Sequence, residues 1–162
     1  MSKPLCTVTW QKAAKHKDLP KLADFKVWVQ AALAGAGRQK PCEMAIRLVE
    51  AEESQALNRE YRGKDKPTNV LSFPSELPEE VLDGLPREPL GDIIICVPVV
   101  FAEAAEQGKA ARDHWAHLTV HGVLHLLGFD HIEDDEAEEM EGLEIRVLAG
   151  LGIANPYLEP AA

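Results

Sequence analysis

The chain has 162 residues, 46% hydrophobic and 27% charged, which suits one soluble globular domain over residues 1–162 with a core that needs no disulfide staples. Its net charge of −10 argues against a broad nucleic-acid footprint, although Arg59, Arg62, Lys64 and Lys66 form a local basic cluster fit for a polyanion. Three scattered cysteines without a C-x-x-C pair, no apolar signal core and no run of membrane-spanning length predict a cytoplasmic protein with no membrane partner.

Leu5 to Trp10 alternates apolar and polar and predicts a strand. Leu19 to Ala34 places Leu22, Phe25, Trp28, Val29, Ala32 and Leu33 at helical spacing, with Gly35 and Gly37 ending the helix. Met44 to Val49 alternates again. Glu53 to Tyr61 predicts a helix with Ser54, Leu57 and Tyr61 on one side. Gly63 to Asn69 is a basic turn, and Val70 to Phe73 a strand stopped by Pro74. Ser75 to Pro89, rich in proline and acid, predicts a surface loop. Gly91 to Val97 is a strongly apolar strand, in which Cys96 reads as a small buried hydrophobe. Pro98 suits the first turn of a helix ending near Gln107 and Gly108. Ala110 to Leu127 predicts a further helix. Asp134 to Ala149 predicts the last, with Met140, Leu143, Val147 and Leu148 inward, Asp134 or Asp135 near its N-cap, and the acidic run 133–141 on a solvated face. Helices gathered at the end of the chain predict an α+β class: helices packed on a small mixed β-sheet.

Chemistry concentrates in His121-Gly-Val-Leu-His125-Leu-Leu-Gly128-Phe-Asp-His131. Histidines four apart share one helix face, so His121 and His125 can grip one ion. His131 would lie roughly 9 Å further along a straight helix, so the chain must turn back after His125. Gly128 sits where that turn is needed, because glycine accepts the left-handed conformation that ends helices. The spacing is that of the metzincin zinc helix, but Gly122 stands where a peptidase carries its glutamate base. His121, His125 and His131 are therefore the predicted metal ligands and Zn2+ the predicted ion, one per chain. Three imidazoles leave a position for water, whose pKa zinc lowers to about 7. His117 shares the helical stripe, but His117, His121 and His125 span roughly 12 Å, too long for one ion. His117 is expected in the core or orienting a ligand, and His114 near solvent. No phosphate-binding glycine loop or nucleophile elbow occurs. Arg62, ending a helix before Gly63-Lys-Asp-Lys-Pro, is a candidate to meet phosphate oxygens, or else a surface helix-capping arginine.

The segments Leu57 to Pro74, Leu90-Gly91-Asp92-Ile93 and His117 to His131, continuing through Glu136, closely resemble the bacterial YbeY family. Phe129 stands where that family often has tyrosine. The resemblance implies an α+β fold with the metal in a cleft beside a small sheet, and a single-strand-specific, metal-dependent endoribonuclease. It implies action in ribosomal RNA processing, notably 16S rRNA 3′-end maturation, and in ribosome quality control. Implied partners are single-stranded RNA, the small ribosomal subunit and ribosome-associated factors. The family's zinc ligands fall on His121, His125 and His131, and its important arginine on Arg62, so that Arg62 and His121 carry the expected catalysis.

Two further readings compete. Metzincin spacing permits a metal-dependent amide or peptide hydrolase, against which Gly122 counts. A structural zinc in a non-catalytic ribosome assembly factor would instead require a closed four-ligand site.

Overall fold

The computed structural model describes residues 5–129 and 133–157. Four strands, β1 (Cys6–Lys12), β2 (Cys42–Val49), β3 (Val70–Pro74) and β4 (Glu88–Cys96), form one mixed sheet in the order β1-β2-β4-β3. β1, β2 and β4 run parallel, and β3 lies antiparallel along the β4 edge. The helices are α1 (Leu22–Gly35), α2 (Ala51–Arg62), α3 (Glu79–Asp83), α4 (Val97–Glu106), α5 (Ala111–Leu126) and α6 (Asp134–Gly150). The expected α+β class, with helices on a small mixed sheet, is what the chain adopts.

Strand alternation decides which face carries the core. Ile46 and Leu48 of β2 and Ile93 and Ile95 of β4 are fully buried beside Trp115, Val123 and Leu124 of α5 and Phe25, Val29 and Leu33 of α1. Each such side chain contributes roughly 1.5–3 kcal/mol by leaving water, and this fixes α5 on the sheet. Thr7, Thr9, Glu43, Ala45, Asp92 and Ile94 line the other face, where Leu57 and Tyr61 of α2 help enclose an open cavity of about 850 Å³. Among the described residues no helix is long and apolar enough to cross a membrane.

Several local expectations need correction. α1 begins at Leu22, not Leu19, because the residue before Pro20 is biased out of helical conformation. Its N-cap Lys21 is extended and donates its backbone N–H to Asp24 Oδ2 at 2.9 Å. Segment 75–89 is not all loop: it contains α3, and β4 already starts at Glu88. The early start uses a bulge, since Glu43 pairs with Pro89 and Met44 with Gly91, leaving Leu90 extra. Gly91 has φ +133°, and a Cβ there would lie 2.1 Å from the Phe73 carbonyl oxygen. Glycine thus allows β3 its close approach. Asp134 and Asp135 do lie near the N-cap of α6, which is Glu133 without a side-chain cap bond, and sit in the first turn, where the helix dipole favours acids.

Candidate metal centre

α5 presents its histidines in directions set by how it packs. At Gly122 the helix backbone presses against β4: a Cβ built there would lie 2.9 Å from Ile93 Cδ1 and 3.1 Å from Ile93 Cγ2. Ser72, the register partner of Ile93 on β3, donates its hydroxyl to the Gly122 carbonyl at 3.3 Å. The position that bears a glutamate in zinc peptidases is therefore filled by the sheet.

His121 and His125 lie one turn apart and converge. Their Nε2 atoms are 3.1 Å apart and their rings are nearly perpendicular at 77°. Two nitrogens bound tetrahedrally to one zinc at about 2.05 Å would be about 3.4 Å apart. The donor set and its spacing fit a divalent ion bridging the two Nε2 atoms. Beyond them the helix ends as the glycine predicts. Gly128 has φ +100°, its N–H donates to His125 O at 3.0 Å, and Phe129 N–H reaches Leu124 O at 3.0 Å. This pair of bonds is a Schellman reversal. His131, the third expected ligand, and its neighbour Asp130 lie outside the described residues.

A second group of donors sits behind His121. Glu144 of α6 is fully buried, with one carboxylate oxygen bonded to His121 Nδ1 and the other to His117 Nε2, at 3.1 Å, and to the Tyr157 hydroxyl. Burial pushes the Glu144 carboxyl up, but hydrogen bonds from His117, His121 and the Tyr157 hydroxyl outweigh it and draw the pKa down to about 2. Burial raises the Tyr157 hydroxyl, and the adjacent Glu144 raises it further. His117, His121 and Glu144 have ligand atoms all within 4.8 Å of one another, which gives a second candidate grouping for an ion.

His117 is half-buried and reaches His121 through Glu144, whereas His114 does not lie near solvent as expected. It is only 4% exposed, because α4 packs over this part of α5 and brings Glu103 Oε1 to 2.9 Å from His114 Nε2. Asn69, at the start of β3, donates to the same oxygen at 3.1 Å.

Arg62 occupies the last turn of α2 and is exposed, with no hydrogen bond or ion pair among the described residues. Of the residues expected on one side of α2, Leu57 and Tyr61 face the cavity beneath the sheet and Ser54 is buried. The helix buries Ser54 and Asn58, because both hold the basic turn. Ser54 Oγ donates to Thr68 O at 2.9 Å and accepts from Thr68 N–H at 3.0 Å, and Asn58 Nδ2 donates to Lys66 O at 2.8 Å. Tyr61 is 61% exposed and meets the Phe73 ring edge-on at 5.1 Å. Arg62 thus stands on a clamped helix end next to Tyr61, which meets Phe73 of β3, the strand that touches α5 at Gly122.

Glu144 and Tyr157 are not evident from motif spacing. A signal for Glu144 does exist: it falls midway between Met140 and Leu148 on the buried stripe of α6, where an unpartnered acid would be costly. Tyr157 lies beyond the last helix, in a segment without periodicity.

The family model described as Endoribonuclease YbeY matches residues 9–152. The Endoribonuclease YbeY of Alkalilimnicola ehrlichii is 60% identical over 139 residues, covering 86% of this chain and 82% of its own. That of Acinetobacter baumannii is 59% identical over 140 residues, covering 86% and 89%. That of Colwellia psychrerythraea is 55% identical over 151 residues, covering 92% and 95%. A solution structure of a Thermotoga maritima protein superposes with a TM-score of 0.50 at 23% identity, covering 94% of this chain and 99% of that one, and is similar in fold.

Proposed function

The chain belongs to the endoribonuclease YbeY family, and from that premise we propose that it is a single-strand-specific, metal-dependent endoribonuclease acting in ribosomal RNA processing. The convergence of His121 Nε2 and His125 Nε2 to 3.1 Å carries this reading, because it prepares two ligands on a helix whose position after His121 is a glycine packed on Ile93 and not a peptidase base. His121, His125 and His131 would hold the ion, with Zn2+ favoured by an all-imidazole set. A divalent ion held there supplies Lewis acidity, lowering the pKa of water and polarising a phosphoryl oxygen.

The remaining work falls to the chain's own groups. Arg62 offers a planar, permanently charged fork to the phosphate and stabilises charge developing on its oxygens. Lys64 and Lys66, exposed on the clamped turn, attract the RNA backbone in an otherwise acidic protein. Tyr61, held edge-on by Phe73, offers an open ring face on which an unpaired base stacks. Stacking needs a splayed base, which suits single strands over duplex. The cellular setting that follows is cytoplasmic, with the small ribosomal subunit and its associated factors as partners and the 3′ end of 16S rRNA as a target.

A peptidase reading has little room, because Ile93 occupies the space a base at position 122 would need. Parallel digests of single-stranded RNA, duplex RNA, single-stranded DNA and casein test the substrate class. Turnover of single-stranded RNA alone is expected. Turnover of casein, or of all nucleic acids equally, would contradict the assignment.

A further inference from the structure

We propose that Glu144 is a positioning residue, held in place by Tyr157, that fixes His121 in the Nδ1–H tautomer so that Nε2 meets the metal, and that Glu144 and His117 are not themselves ligands. This rests on the metal site proposed above.

The two candidate groupings share His121 and use its opposite nitrogens. In one, Nε2 faces His125 Nε2 at 3.1 Å. In the other, Nδ1 faces the Glu144 carboxylate, with His117 beside it. One imidazole turned toward a carboxylate on one side presents a lone pair on the other, which is the usual arrangement behind a metal-bound histidine. The surroundings separate the two sides. Glu144, found only in the second grouping, is fully buried, so an ion against it would have little room for substrate, whereas His125, found only in the first, is half-buried.

Donor counting points the same way. An ionised carboxylate accepts about four hydrogen bonds. Glu144 meets three donors: His121 Nδ1–H, His117 Nε2–H and the Tyr157 hydroxyl. A buried carboxylate supplied with this many donors has little need of an ion. His117 has its other nitrogen, Nδ1, buried without a partner among the described residues, so its interaction with the site runs through Nε2 and Glu144. Tyr157 packs its ring edge-on against His117 at 5.5 Å, and Lys109 Nζ donates to Pro156 O at 2.6 Å, which pins the segment after α6 where its hydroxyl reaches Glu144.

The first test is a long-range proton–nitrogen correlation spectrum of the 15N-labelled, zinc-loaded full chain. The expected result is a proton on His121 Nδ1 and metal on Nε2; the reverse overturns the proposal. The second is zinc affinity by competition with a chelating dye, together with the Co2+ absorption spectrum. Glu144→Gln should weaken zinc about 10- to 100-fold, with the Co2+ bands unmoved. Wild-type affinity, or bands reporting a lost ligand, overturns it. Tyr157→Phe keeps the ring on His117 and covers the case in which Glu144→Gln does not fold. It should weaken zinc in the same direction but less, and wild-type affinity there counts against the proposal. His125→Ala separates the two claims. Zinc retained in His125→Ala removes the metal site itself, whereas zinc lost there but bound normally by Glu144→Gln removes only the role of Glu144.

Discussion

Ile93 fills the space beside Gly122: a Cβ on Gly122 would come within 2.9 Å of Ile93 Cδ1, and Ile93 is itself fully buried. The residue that follows His121 is thus fixed by sheet packing. The close approach that seats α5 on β4 leaves no space for a side chain at this position unless Ile93 shifts.

Gly122→Ala should therefore destabilise the protein, although alanine is the better helix former. Overpacking costs about 1–3 kcal/mol and helix propensity returns about 1 kcal/mol, for a net loss of about 1 kcal/mol. Ile93→Val removes Cδ1, so the penalty of Gly122→Ala should shrink in that background, as read by urea unfolding in a double-mutant cycle. A stabilised Gly122→Ala protein would mean that the contact is not tight.

Metal binding and RNA contact should separate by residue. His121→Ala and His125→Ala should lose both zinc and cleavage. Arg62→Ala should keep zinc and lose cleavage, with the fall in kcat. Tyr61→Ala should keep kcat and raise KM about tenfold, the scale of one lost base-stacking contact. Normal cleavage by Arg62→Ala would remove it from the reaction.

The clamp on the basic turn has its own signature. Ser54→Ala removes both bonds to Thr68 and leaves half-buried backbone groups unpaired, at a cost of about 1 kcal/mol. Hydrogen exchange at the Thr68 amide should accelerate, and affinity for RNA should fall while zinc binding is unchanged. An unaltered exchange rate at Thr68 would show that the turn is held by other means.

The convergence of His121 with His125 and the fold class were readable in the sequence because both depend on local periodicity. Four-residue spacing places His121 and His125 together on any helix, and Gly128 marks the reversal whatever packs nearby. What was not readable depends on which helix lies against which. His114 is buried because α4 delivers Glu103 to it, and nothing near residue 114 announces that. Glu144 reaches His121 only through the register of α6 on α5, although its place on an apolar stripe was a visible clue. Asn58 is buried on α2 because it holds the following turn through Lys66 O, a tertiary role that helical spacing does not mark.

Acid stability should carry the mark of the buried His114–Glu103 pair. The bond from His114 holds the Glu103 carboxyl below its ordinary value against the opposing effect of burial, with Asn69 adding to the lowering. A carboxyl depressed in the folded state contributes stability that is fully present above its unfolded pKa of about 4.3 and is lost as pH falls through the lower folded value. The urea midpoint should drop over that window, and the drop should be shallower in Glu103→Gln. The same slope in both proteins would show that the pair is not the source.

The most direct test of a metal-dependent ribonuclease is cleavage of an end-labelled single-stranded RNA by the purified full chain, with wild type, chelator-treated wild type, the same sample after zinc is restored, and His121→Ala side by side. Cleavage by wild type and by the zinc-restored sample, with none in the other two, is the predicted result. Equal cleavage in all four, or none in any, would contradict it.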